Sequence, residues 1–150
     1  MYSLKDKERF MEYKRFENTI IARIDKGEEL TEKIKEIAIK ENVKLASVSG
    51  LGATDDFTVG CYNVAEKKYY PNRFTGAFEI VSLTGTINTM NGEYYSHLHL
   101  SAGNGKGEVF GGHLNSAIIS VTCEIVITVI NGVTDRKFCE ECGINMLDFS

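Results

Sequence analysis

The chain has 150 residues, with 17 Lys and Arg against 21 Asp and Glu for a formal net charge of −4, and 43% of it is hydrophobic. These values exclude a disordered polymer and suit one domain, which we expect to span residues 1–150. No apolar run approaches the ~20 residues of a membrane span, so we expect no membrane partner. The acidic balance argues against nucleic acid as a partner, because phosphate contacts need local Lys and Arg.

The N-terminus and the cysteines together predict a cytoplasmic protein. Residues 1–8 are rich in charge and lack the apolar core of a signal peptide. Without a secretion signal, we expect the four cysteines to be reduced thiols.

One amphipathic helix stands out in the sequence, and we expect it to begin at Glu28 and end at Glu41. Asp25 and Glu28 have the spacing of a capping box, which signals a helix start. The apolar residues that follow share one helical face, and the opposite face is charged. Those apolar residues are Leu30, Ile34, Ile37 and Ala38. This stripe is expected to pack against the rest of the domain.

Most of the remaining chain is predicted as β-strand, because it is rich in β-branched and aromatic residues. The candidate segments are residues 19–24, 43–49, 58–63, 78–86, 94–101 and 118–130. We expect residues 43–49 to end in a turn at Gly50-Leu51-Gly52. The segment 118–130 is too long for one average strand, so a bend, or a short helix before it, is expected. Asn131-Gly132 is a turn signal that closes this segment. Many strands and one clear helix predict an α+β fold with a central, mainly antiparallel β-sheet.

All three histidines lie between His97 and His113. In a strand, residues i and i+2 point to the same face, so His97 and His99 would project together while Leu98 points the other way. The Cα atoms of the two histidines would lie ~6.6 Å apart, which lets two rings converge on one ion.

A hairpin after this strand would bring the third histidine to the other two. The glycine-rich segment 102–107 is the predicted loop. A hairpin centred on Gly105 sets His97 opposite His113, and one centred on Lys106 sets His99 opposite His113. Both registers leave all three rings on one face, whereas a bulge would move a ring to the other face.

Three imidazoles with an open fourth position are typical of a zinc-type catalytic or binding site, so His97, His99 and His113 are the candidate metal ligands. The alternative is three ordinary histidines that are hydrogen-bonded near a subunit surface. Gly111-Gly112 removes side-chain bulk just before His113. That could admit a ligand or a neighbouring chain, or it could only serve a strained backbone.

Two other features carry a chemical signal. Cys139 and Cys142 form a C-x-x-C pair, but the sequence offers no second close pair for zinc and no βαβ context for a redox motif, so incidental thiols are the main interpretation. Glu79 and Glu124 each lie in an apolar strand segment. Each is either a residue of the polar face or a buried acid that supports catalysis.

Several motifs resemble those of one known family, in the same order and spacing. Residues 49–53 (SGLGA) are similar to its S-G-x-G-A turn, and residues 76–85 (GAFEIVSLTG) to its G-x-F-E-I-L-S-L-x-G strand. Residues 97–101 (HLHLS) and 111–114 (GGHL) resemble its H-L-H-L-S and G-G-H-L pair, and residues 124–127 (EIVI) its closing strand. The chain is therefore identified as a member of the PPC (plants-and-prokaryotes-conserved) domain family over about residues 16–147.

The resemblance implies the α+β PPC-domain fold, a homotrimer, and zinc or another divalent transition metal held by His97, His99 and His113. It implies a regulatory or ligand-binding module with a small molecule at the metal. It also brings the label DNA-binding, because plant members join this domain to an AT-hook that enters the minor groove. This chain has no Arg-Gly-Arg, and its only proline is Pro71. The AT-hook is therefore missing, and DNA is disfavoured as a partner.

The fold also resembles that of acetolactate decarboxylase, a zinc lyase with a similar H-x-H plus His arrangement. This implies an alternative function, a metal-dependent lyase acting on a small oxo- or hydroxy-acid. The catalytic candidates would then be Glu79 or Glu124 as the acid or base, with Arg73 holding a substrate carboxylate. A shared fold alone does not fix a function.

Overall fold

The structure is a computed structural model that describes residues 10–150. The charged segment 1–8, from which the cytoplasmic location was predicted, lies outside the described residues. The elements in chain order are β1 (Glu12–Phe16), β2 (Thr19–Asp25), α1 (Leu30–Lys40), β3 (Ala46–Asn63), β4 (Lys68–Met90), β5 (Glu93–Gly103), β6 (Val109–Val129), β7 (Asp135–Cys139) and β8 (Ile144–Asp148).

Strands β1 to β6 form one sheet in the order β1-β2-β6-β3-β4-β5. Every pair in it is antiparallel. Because β5 pairs with both β4 and β6, strands β3, β4, β5 and β6 form a closed ring, which leaves β5 without a free edge. Strands β7 and β8 form a separate hairpin. The predicted α+β fold with a mainly antiparallel sheet is confirmed.

Strand β3 corrects one sequence prediction. Residues 43–49 and 58–63 were predicted as two strands, but the chain continues through Gly50-Leu51-Gly52 as one strand with register shifts against β4 and β6. A Cβ on Gly52 would lie 2.4 Å from the Thr122 carbonyl oxygen. This glycine therefore permits a close approach between β3 and β6 and is not part of a turn.

Strand β6 is longer than predicted, since it begins at Val109 and continues through residue 118 with no helix directly before that residue. Its pairing with β3 shifts register at three places on β3: between Gly52 and Thr54, between Thr54 and Asp56, and between Thr58 and Val59. Such bulges bend a strand locally. The N-terminal half of β6 pairs with β5, and its C-terminal half pairs with β2.

Helix α1 begins two residues later than predicted, at Leu30, because Glu29 is its N-cap and accepts hydrogen bonds from the first turn. Glu28 does accept the Asp25 N–H at 2.9 Å, as in a capping box. The Asp25 carboxylate, however, binds the Arg23 guanidinium instead of the helix. The two acids therefore form a turn before the helix.

The apolar stripe of α1 is buried as predicted. It packs on β5 and β6, and its members are Leu30, Ile34, Ile37 and Ala38. Alternate residues of the strands, such as Ile20 and Ile125, complete this core. The intervening strand residues lie on the opposite, outer face of the sheet. The single helix described is neither long nor apolar enough to cross a membrane.

Candidate metal centre

Strand β5 presents two histidines on the outer face of the sheet. Leu98 and Leu100 are 3% and 2% exposed and belong to the core, whereas His97 and His99 are exposed. The predicted alternation along this strand is confirmed.

The third histidine faces His99 across the hairpin. Of the two predicted registers, the one centred on Lys106 is present, with His99 opposite His113. Asn104 closes the loop, since its N–H donates to the Glu108 carbonyl at 2.9 Å. The Asn104 side-chain oxygen also accepts the Lys106 and Glu108 N–H groups, each at 3.0 Å. These bonds fix the length of the loop and therefore the register.

The three imidazoles converge at distances that fit a metal ion. One nitrogen from each ring lies within 4.8 Å of one nitrogen from each of the other two rings. The Nε2 atoms of His97 and His99 are 3.2 Å apart. Two nitrogens on a tetrahedral zinc ion, with bonds of ~2.0–2.1 Å, would be separated by about 3.3 Å. The side chains therefore suit such an ion without rearrangement of the backbone.

The protonation of the site also suits a metal. Burial is the main cause that lowers the pKa of His97 and of His113 below the ordinary histidine value. The neighbouring His99 lowers both pKa values further, and Arg136 adds to the effect on His97. Metals bind the neutral imidazole, so the site holds these two ligands in the competent form at neutral pH.

Two contacts fix His113 in place. A Cβ on Gly112 would lie 2.4 Å from the Gly60 carbonyl oxygen, so the missing side chain lets β6 pass close to β3 beside the histidine. The Tyr69 hydroxyl donates to the His113 carbonyl at 3.1 Å, and the two rings meet edge to face at 5.7 Å. Gly112 has an ordinary φ, so it serves close strand packing and not a strained backbone.

The imidazoles line a pocket of about 650 Å³, within the ~300–1,000 Å³ range of small-molecule sites. The other walls come from β3, β4, β5 and the β7–β8 hairpin. The larger residues among them are Tyr62, Tyr69, Tyr95, Arg136, Ile144 and Asn145. A ligand in this pocket would meet the ring nitrogens and an aromatic wall together.

Arg136 is the functional candidate that sequence reasoning missed. It is only 8% exposed. Its Nε donates to the Asn88 side-chain oxygen at 2.9 Å, and its Nη1 donates to the Asn145 carbonyl at 3.1 Å. The centre of its guanidinium lies 4.5 Å from the Tyr95 ring centroid. Among residues 10–150, no carboxylate comes within 4.0 Å of its guanidinium. In the sequence it stands between Asp135 and Lys137 and resembles ordinary surface charge.

The catalytic candidates named from the sequence do not line this pocket within one chain. Glu79 and Glu124 are exposed, which agrees with the interpretation that they belong to the polar face. Arg73 binds the Asp56 carboxylate through two hydrogen bonds of 2.9 and 2.8 Å. A catalytic role for any of the three stays a prediction, and it would need a neighbouring copy to bring them to the histidines.

A closed antiparallel ring with three convergent imidazoles on its outer face defines a small α+β protein with a histidine cluster of a size that fits a metal ion. Residues 11–131 match the Plants and Prokaryotes Conserved (PCC) domain, which is the PPC domain of the sequence analysis. The chain belongs to this family.

Several solved structures are similar to this chain over most of its length. A provisionally assigned DNA-binding protein from Bacteroides thetaiotaomicron is 29% identical, with a TM-score of 0.91 over 94% of this chain and 99% of that one. A metal-containing protein from Archaeoglobus fulgidus is 28% identical, with a TM-score of 0.81 over 92% and 97% of the two chains. A PPC protein from Pyrococcus horikoshii is 29% identical, with a TM-score of 0.80 over 93% and 94%. No curated protein matches the sequence.

Proposed function

We propose that this PCC-domain protein is a metal-dependent ligand-binding module in which His97, His99 and His113 hold a divalent transition metal, with zinc as the first choice. The observation that carries the proposal is the convergence of three ring nitrogens on the wall of a pocket. Three protein nitrogens leave a fourth tetrahedral position open, which is typical of a binding or catalytic zinc and not of a closed structural one. The metal-containing relative from Archaeoglobus fulgidus supports a metal in this fold, without naming which metal.

The proposed ligand is a small organic anion. Arg136 lines the pocket with a buried positive charge and, in the described part of the chain, has no acidic partner. A carboxylate is the group that a guanidinium binds best, because the two planar groups can share two parallel hydrogen bonds. An anion in the pocket would therefore contact Arg136 at one end and reach the metal at the other.

Metal content tests the first part of the proposal. We expect wild-type protein purified without added metal to carry close to one equivalent of transition metal, and the His97→Ala/His99→Ala variant to lose it. Glu93→Ala, an exposed residue on the same strand, is the matched control and should keep the metal. Equal metal content in the wild type and the double histidine variant would contradict a three-histidine site.

The proposal includes a homotrimer in which copies meet on the outer face of the sheet. Ile21 on β2 and Leu51 on β3, the two strands that flank β6, are 44% and 55% exposed on that face, and apolar side chains exposed on one face can mark an interface. His99 and Ile21 lie in one row of paired residues across the sheet. The residues between them in this row are Thr84, Ser49 and Val126. A neighbouring copy on this face would lie beside the metal pocket.

Light scattering tests the assembly. We expect a mass of about three times the 16.7 kDa chain, and a lower mass for Leu51→Lys. Ile39→Lys, on the exposed side of α1, should leave the mass unchanged. A monomeric wild type at micromolar concentration would contradict the trimer.

Direct DNA binding is not part of this proposal, although the relative from Bacteroides thetaiotaomicron carries that provisional description. The formal charge is −4, the AT-hook is missing, and Arg73 is already paired with the Asp56 carboxylate. A mobility-shift titration at about 50 to 200 mM salt should show no complex that weakens with salt. A salt-sensitive complex would restore DNA as a partner.

A metal-dependent lyase acting on small oxo- or hydroxy-acids is the second candidate function, and the juxtaposition of Arg136 and the histidines favours it. The metal-loaded protein would release carbon dioxide from such an acid, and His99→Ala would not. A panel of 2-oxo and 2-hydroxy acids monitored by proton NMR provides the test. If fully metal-loaded protein converts none of these acids, the lyase function is excluded and the ligand-binding function remains.

A further inference from the structure

The turn between β7 and β8 brings two thiols together at the rim of the histidine pocket. The Cys142 N–H points at the Cys139 sulfur, 3.4 Å away, and the Gly143 N–H donates to the Cys139 carbonyl at 2.7 Å. Gly143 has a φ of 75°, a left-handed conformation that glycine adopts without strain. Gly143 also lines the histidine pocket, so the turn that holds the two thiols borders that pocket.

The neighbouring β3–β4 hairpin holds this turn in shape. The Tyr62 hydroxyl donates to the Cys142 carbonyl at 3.0 Å, and Lys67 Nζ donates to the Glu140 carbonyl at 2.8 Å. Both cysteines are partly exposed and both are free thiols. Because the backbone around them is anchored on two sides, the approach of the two sulfurs is a property of the fold and not of a loose surface loop.

The chemistry of the two thiols is unequal. The backbone N–H of Cys142 is the main cause that lowers the pKa of Cys139, and the Cys142 thiol adds a second hydrogen bond. That same hydrogen bond raises the pKa of Cys142. One sulfur is therefore stabilised as a thiolate while its neighbour keeps its proton, which is the division between an attacking and a resolving cysteine.

We propose that Cys139 and Cys142 are a redox-active dithiol that closes reversibly to an intramolecular disulfide, with a small-molecule disulfide such as oxidised glutathione as the oxidant. A metal is the other use of a C-x-x-C pair. In residues 10–150, however, no third His, Cys, Asp or Glu joins the two sulfurs in a metal-sized cluster. Disulfides of this kind in reducing compartments are typically transient and regulatory.

The reaction balances in two steps. The Cys139 thiolate attacks one sulfur of the small-molecule disulfide, which forms a mixed disulfide and releases one thiolate. Cys142 then loses its proton and attacks the Cys139 sulfur, which releases the second thiolate. The protein loses two electrons and two protons, and the small-molecule disulfide becomes two thiols. Reduced glutathione in excess reverses both steps.

Thiol counting and peptide mass mapping in glutathione buffers test the proposal. Cys123 is buried and its pKa is raised to about 12, so native wild-type protein should expose three reactive thiols. Oxidised glutathione should join Cys139 to Cys142 in one peptide and leave no reactive thiol other than Cys61. Cys142→Ser should instead retain a glutathione on Cys139. Cys61→Ser, at another exposed thiol, should still form the disulfide.

Two results would overturn the proposal. One is a wild type in which oxidised glutathione leaves both cysteines free or leaves stable adducts on each without a link. The other is a bound metal that Cys139→Ser removes and His97→Ala/His99→Ala does not, which would make the pair a metal site. Neither result depends on whether the histidines bind metal, so this test and the metal analysis fail separately.

Discussion

His99 and His113 lie directly opposite each other on β5 and β6, with ring centroids 5.8 Å apart. This pair is part of the backbone pairing that closes the ring of strands. The candidate metal centre and the closure of the sheet therefore depend on the same short stretch of β-ladder.

Acid is expected to release a bound metal below the ordinary histidine pKa of ~6.5, because protons compete with the ion for the ring nitrogens. Burial lowers the pKa of His97 and His113, so release should need more acid than it would for exposed histidines. The visible absorption of cobalt-loaded protein, followed against pH, measures the release. A spectrum that is constant down to about pH 3 would contradict imidazole ligands.

The same shifts predict the pH dependence of stability in the metal-free protein. The folded state binds fewer protons at these two histidines than the unfolded state does, so the free energy of unfolding should fall as the pH drops through about 6.5. Urea denaturation on each side of that pH measures the change. His97→Ala/His113→Ala should reduce the pH dependence in this range, and an unchanged dependence would contradict the assignment.

Gly112→Ala is expected to destabilise the fold and weaken metal binding. The added Cβ would meet the Gly60 carbonyl oxygen at 2.4 Å, and overpacking against backbone costs about 1–3 kcal/mol. Gly105→Ala is the control, since a Cβ there meets nothing within 4 Å and the φ is ordinary. Urea denaturation and metal content provide the measurements. Equal stability of the two variants would show that β3 and β6 can separate at the site without cost.

The buried stripe of α1 should contribute strongly to the stability of the fold. Ile34→Ala removes a fully buried side chain, and such truncations cost about 2–5 kcal/mol. Ile39→Ala, at a 61% exposed position on the same helix, should change the free energy of unfolding by no more than about 0.5 kcal/mol. Similar losses for both variants, measured by urea denaturation, would contradict the packing of α1 on β5 and β6.

Arg136→Gln should raise the pKa of His97 in the metal-free protein, because the guanidinium charge contributes to lowering it. The variant should also lose about 1–3 kcal/mol of stability, since Asn88 and the Asn145 carbonyl lose a charged partner. Proton NMR of the histidine rings against pH measures the first effect. Lys137→Gln, at the exposed neighbouring residue, is the control. Equal changes in the pKa of His97 in the two variants would contradict a specific effect of the Arg136 charge on that histidine.

The histidine centre could be predicted from sequence because its determinants are local. The alternation of His97-Leu98-His99-Leu100 determines the shared face, and both predicted registers of the short loop keep His113 on it. The choice of the register centred on Lys106, with His99 opposite His113, came only from the structure. The apolar stripe of α1 was predictable for the same reason, since helical periodicity is a property of neighbouring residues.

The missed features depend on contacts between distant residues. The sequence around Gly52 predicts a turn, because nothing in it shows that Thr122 lies against this glycine. Glu29 is the helix cap in place of Asp25, because Arg23 binds the Asp25 carboxylate. Arg136 reaches the pocket through Asn88, which lies on β4 far back along the chain. Periodicity and local motifs contain no information about such pairings.

The three imidazoles come from one continuous segment, residues 97–113, whereas the strands around it extend from Glu12 to Val129. Local hairpins form in about 1–10 μs, while sheets rich in distant pairings fold in milliseconds to seconds. The ligands can therefore meet before β6 forms its distant pairings with β2 and β3. A metal captured at that moment would hold β5 and β6 together while those distant pairings form, so metal supply would influence the yield of folded protein.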